Sequence, residues 1–92
     1  MVALDFLGRR WALRIGWELR EGALSFNDLQ RACDKISPSV LSERLRDGAA
    51  LGTIERDQDG RYRLTAEGRR LLAIVRRLDA WAERLPRARR RS

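Results

Sequence analysis

The sequence contains no histidine, a single cysteine (Cys33), a single lysine (Lys35) and two prolines. Each shortage excludes something. With no histidine and one cysteine, a Cys/His zinc site has no ligand set and no metal is expected. A histidine-based triad lacks its base, and a disulfide cannot close within the chain. Gly8, Gly16 and Gly22 are scattered rather than gathered into a phosphate-cradling loop. The carboxylates are dispersed and form no acid/base constellation, so neither catalysis nor a cofactor is expected. No apolar run approaches the roughly 18 residues of a membrane helix, and the start shows no signal-peptide pattern. The expected compartment is the cytoplasm.

What is present is arginine. Twenty basic residues oppose 13 acidic ones in 92, for a formal net charge of +7, and 43% of the residues are hydrophobic. That is a globular composition with length for one core. Arg87, Arg89, Arg90 and Arg91 follow Pro86 with no acid among them. They supply four of the seven charges and leave residues 1–86 mildly basic. We divide the chain into a domain over 1–86 and an Arg-rich tail over 87–92. The tail reads either as a solvated end or as a phosphate-seeking arm that adds sequence-blind affinity for DNA.

Hydrophobic spacing and capping signals give the order of elements. Residues 3 to 7 suit a short helix stopped by Gly8. Residues 9 to 21 read as a helix with Trp11, Leu13, Ile15, Trp17 and Leu19 on more than one face, so both sides are expected to be covered, with Gly22 as its C-terminal cap. Ala23-Leu24 fits a stub of strand. Ser25 looks like an N-cap with Asp28 three residues on, and Phe26, Leu29 and Cys33 share one face of the helix that follows. Asp34-Lys35-Ile36 is the turn. Ser37-Pro38 starts the next helix, running to about Leu51, with Leu41, Leu45 and Gly48 in its buried stripe. Ser39, Ser42, Glu43 and Arg46 lie opposite that stripe. Asp59-Gly60 between two short alternating runs signals a hairpin, with Tyr62 and Leu64 on one face and Arg61 and Arg63 on the other. Thr65 caps the last helix, over about 66–85, where Gly68, Leu71, Val75, Leu78, Ala82 and Leu85 recur at steps of three and four. Ile74 and Trp81 widen that stripe. A wide apolar stripe on a closing helix points to a second subunit, with packing on the chain's own core as the alternative.

This order predicts a mainly α fold with a small β-hairpin, a winged helix-turn-helix with a long C-terminal dimerisation helix. A helix as wide as the major groove can present side chains to base edges, while its neighbours hold the flanking phosphates.

Specific runs carry a family resemblance. Ala3-Leu4-Asp5-Phe6-Leu7-Gly8-Arg9-Arg10-Trp11, Phe26-Asn27-Asp28-Leu29, Ile36-Ser37-Pro38-Ser39-Val40-Leu41-Ser42-Glu43-Arg44-Leu45-Arg46, Tyr62-Arg63-Leu64-Thr65-Ala66-Glu67-Gly68 and Ala80-Trp81-Ala82-Glu83 resemble HxlR-type bacterial transcriptional regulators. The resemblance covers residues 3 to about 85. It implies a homodimeric DNA-binding regulator of the bacterial nucleoid, with dimer contacts from the N-terminal segment and the last helix. Three departures stand out. Members often carry a cysteine upstream of the Ala-Leu-Asp segment, and none stands there. Gly48 occupies a place where leucine is usual, so the recognition helix is expected to end early or pack differently. The wing loop, Asp57 to Gly60, is short, so its reach into the minor groove is expected to be reduced.

The candidate DNA-binding residues are Ser37, Ser39, Ser42, Arg44 and Arg46 on the recognition helix (about 38–50). Asn27 and Arg31 join them from the supporting helix, and Arg61 and Arg63 from the wing (about 54–64). Arg44 lies nearer the buried edge, where it can instead brace the helix by a salt bridge. Plain solvent exposure is the alternative for Asn27, Arg31, Arg61 and Arg63. Candidate dimer-interface residues are Leu4, Leu71, Val75, Leu78, Trp81 and Leu85. Cys33 is read as a small buried side chain rather than a reactive thiol. Trp11 and Trp17 are read as core or interface. The function expected is sequence-specific binding of double-stranded DNA at an inverted repeat by a homodimer. The alternatives are a sequence-blind nucleoid-type binder and a winged-helix protein-interaction module. The sequence names no effector ligand.

Overall fold

A computed structural model describes residues 11–85. Four helices and a two-stranded sheet follow in the order α1 (Ala12–Glu18), α2 (Phe26–Cys33), α3 (Pro38–Leu51), β1 (Ile54–Arg56), β2 (Tyr62–Leu64) and α4 (Ala66–Ala82). The segment 3–7 and the tail 87–92 lie outside the described residues.

Helix α1 is shorter than its apolar pattern predicts. It ends at a Leu19 cap, after which Arg20 N–H donates to Trp17 O (3.2 Å) and Gly22 N–H to Leu19 O (3.3 Å). These three-residue steps tighten the chain into turns, and Gly22 stands three residues past the cap it was expected to form. Ala12, Ile15 and Leu19 point into the core, whereas Leu13 and Trp17 are exposed. Helix α1 nevertheless has neighbours on two sides, as expected: it packs on α2 through its buried face, and Leu13 and Gly16 lie along the first part of α4. Leu24 then pairs with Tyr62 through two reciprocal backbone hydrogen bonds of 2.9 and 2.8 Å, a one-residue third strand beside the hairpin.

The capping signals hold at the atomic level. Ser25 Oγ accepts from Asp28 N–H at 3.1 Å, Ser37 Oγ from Val40 N–H at 3.2 Å and Thr65 Oγ1 from Gly68 N–H at 3.0 Å. Each satisfies one of the backbone donors a helix start leaves orphaned. Between α2 and α3, Asp34 and Lys35 adopt left-handed backbone angles (φ 51° and 48°), while Ile36 is driven into the core. The polar pair bends the chain and the isoleucine fastens the bend. Helix α3 stops at Gly52, in the left-handed region at φ 83°.

The hairpin pairs Ile54 with Leu64, Glu55 with Arg63 and Arg56 with Tyr62. Its loop is held by Asp57, whose Oδ1 accepts from the backbone N–H of Asp59 and of Arg61, both at 2.9 Å, and Gly60 supplies φ 79°. One core joins all of this: Ile15 of α1 and its cap Leu19 with Leu29 and Cys33 of α2, Ile36 of the turn, Leu41 and Leu45 of α3, and Ile54 and Leu64 of the sheet. The arrangement is a winged helix-turn-helix.

Gly48 is where α3 meets the wing. It is buried, and a Cβ there would lie 2.7 Å from Ile54 Cδ1. The helix does not end early at this glycine. It packs differently, with the Ile54 side chain filling the space a larger residue would take.

Candidate nucleic-acid interface

Helix α3 has two chemically distinct sides because its buried residues recur at steps of four and three. Leu41, Leu45 and Gly48 are buried, and Ser39, Ser42 and Arg46 are all exposed. Steps of three and four bring those three residues onto one strip of the helix. Arg46 makes no ion pair with any described residue, so its guanidinium is available. Ser37 is exposed but partly engaged: its Oγ caps the helix and lies 3.4 Å from Ser39 Oγ.

Arg44 departs from the outward set. It is only 8% exposed, and its Nη2 sits 2.7 Å from Glu43 Oε1. Its Nε lies 3.3 Å from Asp47 Oδ2 in an orientation that forms no hydrogen bond. We therefore remove Arg44 from the groove-facing candidates, because its hydrocarbon stem packs inward and its charge is used on its own helix. It neutralises the Glu43 carboxylate, which would otherwise repel phosphate beside Ser42 and Arg46.

Helix α2 is braced to α1 through Arg14, which donates to Ala32 O (2.8 Å) near the end of α2 and to Glu18 Oε2 (2.7 Å). A cation there also suits the negative end of the α2 dipole. Of the candidates on α2, Asn27 and Arg31 are exposed, with Arg31 paired to Asp28. On the wing, Arg61 is exposed, and Arg63 is exposed but linked to Glu55 Oε2 at 2.8 Å across the strands. Sequence reasoning missed Arg56. It is exposed on β1 with its guanidinium 5.0 Å from the centre of the Tyr62 ring, and its Nε donates to Gly60 O at 3.4 Å. Its only sequence signal was its register opposite Tyr62.

The dimer candidates separate into two groups. Leu71 and Val75 are half-buried and line an apolar groove with Ala12, Leu13 and Gly16 of α1. Ile74, Leu78 and Trp81 are 61%, 58% and 53% exposed and form an uncovered stripe. Leu85 is half-buried just past the helix end, and Leu4 lies outside the described residues. Among the described residues no helix is long and apolar enough to cross a membrane.

Comparison with known proteins follows the same lines. A family model described as HxlR-like helix-turn-helix matches residues 6–89. The HTH-type transcriptional regulator YvaP of Bacillus subtilis is 33% identical over 86 residues, covering 87% of this chain and 80% of that protein. Among solved structures, quinone-bound YodB of B. subtilis superposes with a TM-score of 0.84 at 31% identity, covering 90% of this chain and 93% of that one. The redox regulator HypR in its reduced form gives 0.75 at 31% identity, with 88% and 86% covered.

Proposed function

Because this chain belongs to the HxlR-like helix-turn-helix family of transcriptional regulators, we propose that it acts as a homodimer reading a specific duplex sequence in the bacterial cytoplasm. The observation that carries this reading is the exposed strip Ser39, Ser42 and Arg46, on a helix whose opposite side is locked into the core. In the major groove, Arg46 has the fork geometry to donate twice to a guanine edge, and the serine hydroxyls suit either donors or acceptors. Asn27 and Arg31 approach phosphates from α2, as Arg56, Arg61 and Arg63 do from the wing. Those contacts set register and add salt-dependent affinity without sequence information.

The uncovered stripe Ile74, Leu78 and Trp81 supports the dimer. Three large apolar side chains on one side of a helix are costly to leave in water, and a two-fold axis buries the same patch on both copies. Two recognition helices so related favour an inverted repeat with half-site centres about one helical turn apart. The Arg-rich tail, which lies outside the described residues, adds sequence-blind phosphate contacts.

Selection from a random duplex library, with sizing of the protein alone, tests this. The expected result is an enriched inverted repeat and a dimer. Equal retention of scrambled duplexes would make the chain a sequence-blind binder. Negligible retention even at low salt would make it a protein-interaction module.

A further inference from the structure

Away from the recognition helix, the turn after α1 and the first half of α4 border an open groove of about 180 Å³ lined by Arg20, Arg69, Leu72, Ala73 and Arg76. Three arginines line it, with two aliphatic side chains between them. Arg20 lies over the Trp17 ring at 3.8 Å from its centre, and Arg76 approaches the same ring at 5.3 Å. Arg20 also donates to Trp17 O at 2.9 Å, and Arg69 donates to Arg20 O at 3.2 Å across the two helices. Among the described residues, the one carboxylate paired with any of the three is that of Glu21, 3.9 Å from Arg20 and almost fully exposed. Among the described residues, neither Arg69 nor Arg76 has an acidic partner.

We propose that this groove is a binding site for a dianionic phosphate, either inorganic phosphate or the head of a small phosphate monoester. Three like charges are held together by an indole face and backbone carbonyls, which supply attraction but no countercharge. Stacking on the indole and donating to a carbonyl each use one part of a guanidinium and leave the remaining N–H groups free. That is the geometry in which arginines clamp a tetrahedral oxyanion. The groove is smaller than the roughly 300–1,000 Å³ of a drug-sized pocket, so it suits a head group rather than a large ligand. Its other lining residues, Leu72 and Ala73, carry no acidic side chain to compete for the arginines. Because the site spans α1 and α4, a bound phosphate ties the two helices together.

Phosphorus NMR of the full chain tests the proposal. Inorganic phosphate is titrated at ionic strength held constant with sodium chloride, and glycerol 3-phosphate is titrated in a second arm. We expect saturable broadening in the wild type, weakened about tenfold in Arg76→Gln and in Arg20→Gln, since each loses charged hydrogen bonds to the anion. Tighter binding of the monoester would identify an organic phosphate as the ligand, and equal binding would identify the head group alone. Arg76 is exposed and holds no hydrogen bond among the described residues, so its variant remains informative if Arg20→Gln fails to fold. Broadening that never saturates, that is abolished by matched chloride, or that survives in Arg76→Gln overturns the site. So does a loss of duplex affinity in Arg76→Gln as large as the loss for phosphate, which would assign the groove to DNA. Phosphate binding does not depend on the choice of operator, so failure here leaves the duplex-reading proposal standing.

Discussion

Gly68, in the first turn of α4, lies directly against the backbone carbonyl of Thr53: a Cβ at that position would stand 2.1 Å from the oxygen. The carbonyl has little room to retreat, because it accepts the Thr65 N–H at 3.0 Å. Thr65 Oγ1 in turn donates to Gly52 O at 2.6 Å while capping α4. The root of the wing and the start of the last helix are thus one assembly, closed by the absence of a side chain.

The first prediction follows from that contact. Gly68→Ala gains about 1 kcal/mol in helix propensity. Against that, forcing a methyl into a packed site costs about 1–3 kcal/mol or more. Because the clash is with backbone rather than a flexible side chain, the cost wins. Urea unfolding should show a lower midpoint for the variant, and an unchanged or raised midpoint would refute the contact.

Arg46→Ala should lower affinity for the selected operator by about 1–3 kcal/mol, the range for a bidentate base contact. Competition binding against scrambled DNA separates two roles. A loss confined to the operator marks a base contact, whereas an equal loss on both marks a phosphate contact. Arg44→Ala should behave differently, lowering stability more than specificity, because its side chain is buried against its own helix.

Leu78→Glu places a charge in the middle of the exposed stripe and should yield monomers by sedimentation, with the fold retained by circular dichroism. Leu71→Glu should instead destabilise the monomer, since Leu71 packs in the groove against α1. A Leu78→Glu dimer as tight as the wild type would place the seam elsewhere.

Cys33 is buried, and burial pushes its thiol above the ordinary range. Glu18 adds to the shift and Arg14 opposes it. In the unfolded chain the thiol loses its proton near about pH 8.5. Above that pH the native state holds a proton the unfolded state has released, so stability falls as pH rises, by at most about 1.4 kcal/mol per pH unit. Stability measured by urea unfolding from pH 7.5 to 10 should therefore decline more steeply in the wild type than in Cys33→Ala. Parallel slopes would show that the thiol titrates alike in both states.

Features resting on local chemistry were legible in the residues. Ser25, Ser37 and Thr65 cap because a hydroxyl beside orphaned N–H groups acts within three residues of itself. The stripe of Leu41, Leu45 and Gly48 follows from helical period alone, and with it the outward set of Ser39, Ser42 and Arg46. The hairpin was legible from its turn residues. The length of α1 was not, because turn-like hydrogen bonds after Leu19 replace a helix that propensity alone would continue.

The order of elements, their caps and the polarity of the recognition helix were determined by the sequence, since each depends on neighbours a few residues apart. Only the tertiary structure decided which apolar residues meet a partner within the chain. Leu71 and Leu78 read alike as members of one stripe, yet the first packs on α1 and the second lies open, because α1 runs beside only the first part of α4. The inward turn of Arg44, the seating of Ile54 over Gly48 and the approach of Arg20 and Arg76 to the Trp17 ring beside Arg69 were settled in the same way. They join positions up to 59 residues apart (Trp17 and Arg76), and no local pattern encodes where distant surfaces will touch.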